Sequence, residues 1–144
     1  MTHYIPPAIG WVREQVELYE SSGGTAGTTL RDTGLPCIIV THVGNKTGGI
    51  RKIPLMRVKV GEGYVLVGSY GGRPDNPAWV NNLRANPNVE IRDMTEVFKM
   101  RVREVEADAE RQRLWEAAAA AYPPYNEYQA KTSRKIPVFI AEPV

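Results

Sequence analysis

Apolar residues recur at two different spacings along this 144-residue chain, and the spacings predict helices in some segments and strands in others. Helical spacing is clearest in Ala8–Glu20, where Ile9, Val12, Val16 and Tyr19 recur every three or four residues. The polar face of this helix carries three glutamates and one arginine, whereas a helix that lies on a membrane surface usually has a basic face. We therefore expect it to dock on the protein's own body or on a second subunit, and membrane contact is not indicated.

The strand spacing dominates the rest of the chain. Runs rich in β-branched and aromatic residues predict six strands, at Pro36–Val43, Ile50–Val60, Tyr64–Ser69, Val89–Arg92, Glu96–Val105 and Ile136–Ala141. Further helices are predicted from Pro77 through Leu83, from Asp108 to about Tyr122, and over Tyr122–Tyr128. The pattern indicates one mainly β domain of the α+β class over residues 1–144, with about six antiparallel strands that can close into a small barrel.

The segment between the first two strands, G-N-K-T-G-G, is the most informative motif. Its three glycines allow the backbone to take positive φ and bring amides close to a ligand. Lys46 and Arg51 add positive charge, Thr47 adds a hydroxyl, and no acidic residue occurs between positions 32 and 62. This chemistry predicts a loop that holds a phosphate or a carboxylate. The alternative is a charged hairpin turn.

Two known nucleotide-binding motifs do not fit. Asn45 separates Gly44 from Lys46 and a strand-like segment follows, so the loop is not a P-loop. The run Gly23-Gly24-Thr25-Ala26-Gly27 lacks the spacing of a dinucleotide fingerprint and follows a helix rather than a strand.

Composition excludes several function classes. The net charge of +2 is too small to predict nucleic-acid binding. Cys37 is the single cysteine, and its apolar neighbours predict a buried small residue rather than a reactive thiol. With only His3 and His42 as further ligands, a structural zinc site is not expected. No apolar run reaches transmembrane length, so a cytoplasmic protein is the default expectation, with peripheral membrane contact left open.

The chain also lacks the usual parts of a self-sufficient enzyme. It has no G-x-S-x-G motif and no cluster of metal ligands, and His42 ends an apolar strand, where a structural role is favoured over catalysis. If the protein is an enzyme, we expect an organic cofactor to carry the difficult step.

Three further groups of residues are candidates for a ligand site, each with a plainer alternative. Gly68-Ser69-Tyr70-Gly71-Gly72 follows a strand and would admit a planar ligand, or is a simple loop. Trp79 and Asn82 can face one ligand from a helix, or Trp79 is a core residue. Tyr122, Tyr125 and Tyr128 offer hydroxyls above an apolar wall that suits a quinone or a nitroaromatic, or they pack over the edge of the core.

Taken together, G-N-K-T-G-G-I-R-K-I-P-L, G-S-Y-G-G-R-P-D-N-P-A-W-V-N-N-L-R-A-N-P, A-Y-P-P-Y-N-E-Y-Q and I-P-V-F-I-A-E-P resemble the deazaflavin-dependent nitroreductase family. The resemblance runs from about Gly23 to Pro143. It implies a split β-barrel related to FMN-binding barrels. It also implies use of coenzyme F420, an 8-hydroxy-5-deazaflavin with a phosphate and an oligoglutamate tail, as hydride donor to a quinone-like or nitroaromatic acceptor.

The resemblance also assigns residues. For the cofactor it implies Asn45, Lys46, Thr47, Gly48, Arg51, Lys52, Ile53, Pro54, Leu55, Met56, Val67, Gly68, Ser69, Tyr70, Ala78, Trp79, Asn82 and Tyr125, with the basic loop on the anionic tail. For the acceptor it implies Ser69, Tyr122, Tyr125 and Tyr128. Asn45 stands where the family often carries an arginine, which implies one weaker contact with the tail. Met56 and Tyr70, which border the ring, also depart from residues that occur in the family, which leaves the acceptor range open.

Two other functions remain open on sequence alone. The same barrel can serve an FMN-dependent oxidoreductase, or the protein can be a carrier or sensor that binds the deazaflavin without turnover. The long basic stretch around Lys46–Lys52 favours the deazaflavin, whose tail adds carboxylates that FMN lacks, and a protein that only binds would not need the tyrosine trio. A homo-oligomer is a further expectation.

Overall fold

The computed structural model describes residues 3–31 and 33–144, and its elements follow the predicted order. The strands are β1 (Cys37–Val43), β2 (Ile50–Met56), β3 (Lys59–Val60), β4 (Gly63–Val67), β5 (Asn88–Asp93), β6 (Glu96–Glu104) and β7 (Val138–Pro143). The helices are α1 (Gly10–Ser21), α2 (Ala78–Ala85), α3 (Asp108–Ala121) and α4 (Pro124–Lys131), and a 3-10 turn, Tyr70–Gly72, follows β4.

The sheet has seven strands rather than about six, because the predicted strand Ile50–Val60 is divided in two. Its first part, β2, pairs with β1, and its second part, β3, pairs with β4. The β1–β2 ladder ends at the break and the β3–β4 ladder begins there. At this point the Arg57 N–H donates to the Pro36 carbonyl (3.0 Å) and the Val65 N–H donates to the Val58 carbonyl (2.9 Å). A uniform apolar pattern does not reveal such a change of partner.

All strand pairs are antiparallel, in the order β2-β1-β5-β6-β7-β4-β3. The two outermost strands are consecutive parts of one chain segment, so the sheet curls until its edges meet at the break between β2 and β3. Above that break, β2 and β4 have different partners and separate. The predicted split β-barrel is confirmed.

The barrel interior holds the largest group of buried apolar residues. Ile38 and Val40 of β1 and Leu66 of β4 point inward, and α2 fills one end with Val80 and Leu83. Burying each such side chain contributes about 1.5–3 kcal/mol, which makes α2 an integral part of the barrel rather than a surface appendage.

The outer face of the sheet is covered on two sides. Helices α3 and α4 pack on β4 and β7, chiefly through Leu114 and Tyr125. Helix α1 packs on β1 through Val16 and Tyr19, and Glu20 at its end pairs with a cation on β2 and another on β5. The expected docking of the N-terminal helix on the protein's own body is therefore observed.

Candidate active site

No ladder joins β2 to β4: among the named strands β2 pairs only with β1, and β4 pairs with β3 and β7. We call the space between β2 and the segment after β4 the cleft. The pairs Lys59–Tyr64 and Val60–Gly63 set the register of the lower part, and continuing that register brings Met56 opposite Val67. Both side chains are buried and belong to the same apolar cluster. From Met56 back to Ile50 β2 pairs with β1, while the chain after β4 leaves the sheet as a loop.

Helix α2 forms the inner wall of this cleft and touches the loops on both of its sides. Gly68 lies against Val80, since a Cβ at position 68 would be 2.8 Å from a methyl group of that valine. At the other side, the Asn45 N–H donates to Oδ1 of the buried Asn82 at 2.9 Å. The two loops lie at the same end of the barrel, because each follows the carboxyl end of a strand and those strands, β1 and β4, run in the same direction. Trp79, by contrast, faces the barrel interior, 5.8 Å from Phe139 between ring centroids.

The glycine-rich loop is a compact turn with free positive charge. Gly44 and Gly49 close it, since the Gly44 N–H donates to the Gly49 carbonyl (2.8 Å), and Gly48 takes a φ of 73°. Within residues 3–31 and 33–144, neither Lys46 nor Arg51 forms an ion pair. An unneutralised cation pair beside a tight turn attracts anions.

His42 is the cross-strand neighbour of Arg51 and is buried. Burial lowers the pKa of His42 to about 4; a hydrogen bond with the Val40 carbonyl opposes the shift, and the charge of Arg51 adds to it. The imidazole is therefore neutral at physiological pH and adds no charge to the loop. This agrees with the structural role that the sequence favoured.

The predicted residues of β2 do not all reach one place. Lys52 is on the outer face, where its Nζ pairs with Glu20 at 3.1 Å, so its charge is already neutralised. Ile53 and Leu55 pack against the barrel interior. Met56 alone lies in the cluster that contains the tyrosines.

The second loop has an unusual backbone. Tyr70, Gly71 and Gly72 have φ values of 48°, 65° and 79°, so three successive residues are left-handed. A tyrosine rarely adopts this conformation without support from its surroundings. Ser69, immediately before them, is 9% exposed.

The three tyrosines form one group on α4 and the turn before it. Their ring centroids are 5.0 Å (Tyr122–Tyr125), 6.1 Å (Tyr122–Tyr128) and 6.4 Å (Tyr125–Tyr128) apart. The hydroxyls of Tyr122 and Tyr128 share a hydrogen bond of 3.0 Å. The Tyr125 side chain is buried, yet its hydroxyl takes part in none of the hydrogen bonds in the described part of the chain.

Tyr122 and Tyr125 are held in the protonated form. The hydrogen bond with Tyr128 and, secondarily, burial raise the pKa of Tyr122 to about 12. Burial, with smaller effects from its two neighbours, raises the pKa of Tyr125. These hydroxyls are therefore donors at neutral pH.

One residue at the site went unnoticed in the sequence. Arg134, in the segment between α4 and β7, donates to the backbone carbonyls of Gly68, Ser69 and Arg73. A lone arginine in the polar stretch T-S-R-K carries no signal of this role, because three of its four acceptors are backbone carbonyls more than 60 residues away.

A separate cavity of about 410 Å³ lies between α3 and the segment before β7, lined by Asp108, Arg111, Gln112, Trp115, Gln129 and Lys135. None of the predicted site residues lines it. Its lining mixes both signs of charge, whereas the cleft combines free cations, an apolar wall and hydroxyl donors. Within the described residues we find no group of metal ligands and no helix long and apolar enough to span a membrane.

Comparison with known proteins gives consistent matches. The family described as F420H(2)-dependent quinone reductase matches residues 11–143. A quinone reductase of that description from Mycobacterium tuberculosis is 35% identical over 126 residues, which cover 85% of this chain and 83% of the relative. A solved structure of an F420-H2 dependent reductase has a TM-score of 0.70 at 46% identity, covering 74% of this chain and 94% of the other. A second, described as a domain-swapped dimer, has a TM-score of 0.73 at 45% identity and covers 92% and 97% of the two chains.

Proposed function

This chain belongs to the F420H2-dependent quinone reductase family, and from that premise we propose that the cleft between β2 and the Gly68–Gly72 loop is its active site. Membership makes the protein an oxidoreductase whose cofactor is coenzyme F420, and we propose that its acceptor is a quinone. The observation that carries the proposal is the convergence of three distant segments on one split in the barrel.

The residues near the two ends of β2 suit the two ends of the cofactor. Lys46 and Arg51 would hold the phosphate and carboxylates of the tail, because they are the cations of the loop that lack a partner among the described residues. Met56, Val67 and Tyr125 would border the ring at the other end of β2. A seven-residue strand spans about 20 Å, which gives an extended molecule room to place its ring and its tail at separate ends.

The structure revises the predicted set of cofactor residues. We leave Lys52 out, since Glu20 neutralises it, and we assign Asn82 to support of the loop through Asn45. Trp79, Ile53 and Leu55 would shape the inner wall from the barrel interior rather than touch the tail. The other predicted positions on the two loops stay in the proposal.

The reduced deazaflavin supplies a hydride. The protein's own contribution is to orient the acceptor, to exclude water with the apolar wall, and to stabilise the negative charge that arrives on the acceptor oxygen. Ser69 and the tyrosines would do the last of these, and the hydroxyl of Tyr125 is free to donate to the acceptor because it bonds to none of the described residues. Reduction to the quinol then needs one proton, which solvent supplies.

Nitroaromatics are a second acceptor class that we propose, since the same hydroxyl donors can bond a nitro group. We also propose a homo-oligomer, because a relative at 45% identity is a domain-swapped dimer. A cytoplasmic location remains our prediction.

The test is anaerobic stopped-flow mixing of the protein and reduced F420 with menadione, followed by the return of deazaflavin absorbance and fluorescence. We expect one deazaflavin oxidised for each menadione reduced, with FMN unable to replace the cofactor. Binding of the deazaflavin with no oxidation would support a carrier instead. Activity with FMN alone would support the FMN-dependent alternative.

A further inference from the structure

Arg134 holds the second loop by its backbone. Its Nε donates to the Arg73 carbonyl (2.8 Å), its Nη1 to the Gly68 carbonyl (3.1 Å) and to Asn76 Oδ1 (2.8 Å), and its Nη2 to the Ser69 carbonyl (2.7 Å). An arginine side chain has five N–H donors, so four of them are used on one loop. A lysine has a single nitrogen and cannot reproduce this planar fork.

The loop needs such support. Three successive residues are left-handed, and the first of them, Tyr70, has a Cβ that disfavours this conformation. Residues in sparsely populated backbone regions persist only when their surroundings fix them. The carbonyls that Arg134 binds lie before and after the strained residues, so the guanidinium fixes both ends of the turn.

The same residue is tied to the helix that carries the tyrosines. Gln129 of α4 donates to the Arg134 carbonyl (2.8 Å) and accepts from the Ile136 N–H (3.0 Å). Gly72 packs directly on α4, since a Cβ there would lie 2.8 Å from the Tyr128 carbonyl oxygen. Ser69 and Tyr128 are therefore on two segments that meet through Arg134 and its neighbours.

We propose that Arg134 is a positioning residue that sets Ser69 of the loop against the tyrosine trio of α4. The inference rests on the proposed function, because the geometry that it sets is that of the acceptor site. Arg134 itself does not need to touch the acceptor. Its removal would take one donor from each of three carbonyls and would let the turn relax, which displaces the serine hydroxyl. Displacements of about 1 Å are enough to lower a rate roughly a hundredfold.

The test combines Arg134→Lys with Arg134→Ala and reads three quantities. The first is kcat/KM for menadione, the second is the Kd of oxidised F420, and the third is the hydrogen-exchange rate of the Gly72 amide, which donates to the Ser69 carbonyl (2.9 Å). Arg101→Lys is the matched control, because Arg101 is exposed on β6 and far from the cleft in the sheet. Added guanidinium is tested as a rescue of Arg134→Ala.

We expect kcat/KM to fall at least tenfold in both variants, with faster exchange at Gly72. The cofactor Kd should rise by a clearly smaller factor, since the loop is only one of the proposed cofactor contacts. Guanidinium should restore part of the activity of Arg134→Ala, and the control should match the parent. Parent-like kcat/KM and exchange in Arg134→Lys would overturn the proposal, and so would a rise of cofactor Kd in step with the loss of activity.

If both variants fail to fold, exchange in the unmodified protein decides. A loop fixed as we infer has a Gly72 amide protected like those of the barrel strands, and rapid exchange there would overturn the inference. Failure of the proposed function is distinct, since the unmodified protein would then not reduce menadione while the exchange result would still stand.

Discussion

At the scale of the residue, the hydroxyl of Tyr125 is the most telling feature of the proposed site. The side chain is buried, but no buried side-chain polar atom of the described residues lacks a hydrogen-bond partner, so this hydroxyl reaches the protein surface. Tyr122 and Tyr128 satisfy one another, whereas Tyr125 bonds to nothing in the described part of the chain. Its hydroxyl is therefore free to donate to a ligand, which supports the assignment of Tyr125 to the ligand.

Replacing Tyr125 with Phe should lower kcat/KM for menadione on the order of a hundredfold, the usual cost of losing one donor to a developing negative charge. Tyr128→Phe should do the same more weakly and leave the Kd of F420 nearly intact. Tyr4→Phe, at an exposed tyrosine on the N-terminal segment, is the matched control. Parent rates in all three Tyr→Phe variants of the trio, alone and combined, would mean that these tyrosines only pack.

The pH profile follows from the same environment. An ordinary tyrosine ionises near pH 10, but the pKa of Tyr122 is about 12 and burial raises that of Tyr125 as well. We therefore expect no loss of kcat/KM from tyrosine ionisation up to about pH 10. A fall with an apparent pKa near 10 that disappears in Tyr125→Phe would contradict this environment.

At the scale of the element, the contact between the second loop and α4 should affect kcat/KM for menadione more than the loop's own backbone conformation does. Gly71 and Gly72 both have positive φ, so alanine at either strains the backbone by about 1–2 kcal/mol. Nothing lies within 4 Å of a Cβ at Gly71, whereas one at Gly72 would meet the backbone of Tyr128. Comparing Gly71→Ala with Gly72→Ala therefore separates the effect of backbone strain from the effect of pushing the loop away from α4.

We predict that Gly72→Ala lowers kcat/KM for menadione at least tenfold, because it pushes the loop away from α4. Gly71→Ala should lose a similar amount of stability from strain and keep most of its activity. Thermal melts and steady-state kinetics of the two variants measure this. Equal activities in the two variants would show that the spacing between loop and helix does not govern the reaction.

How far the sequence predicts the molecule also becomes clear at this scale. Hydrophobic periodicity located every helix and six runs of strand, and glycine with charge identified the first loop. Periodicity could not show that Ile50–Val60 changes partner at Arg57, because both halves have the same apolar character. It could not show the face of Lys52, which depends on Glu20 of a distant helix. The role of Arg134 could not be predicted for a different reason, since three of its four acceptors are backbone carbonyls that any residue provides.

At the scale of the whole molecule, the barrel explains why distant motifs can form one site. The sheet closes through a single segment that serves both edges, and the place where that segment changes partner is the place where the split opens. Helix α2 packs in the barrel interior, and Tyr125 of α4 packs on the outside with residues of β4 and β7. We propose that the site runs between them, with charge at one end and hydroxyl donors at the other.

We propose that the free cations of the first loop hold the anionic tail of the cofactor. The most direct test is fluorescence titration of the parent protein, Lys46→Ala and Arg51→Ala with F420 and with a deazaflavin that lacks the phosphate and glutamates. A charge-assisted contact is worth about 1.5–3 kcal/mol, so each substitution should raise the Kd of F420 roughly tenfold or more.

The effect should weaken as salt screens the charges, and the tail-less compound should bind all three proteins within about twofold. Lys99→Ala, on the exposed face of β6, is the control for a lost positive charge. If Lys46→Ala and Arg51→Ala bind F420 as the parent does, or lose the same affinity for the tail-less compound, the tail is not held at this loop.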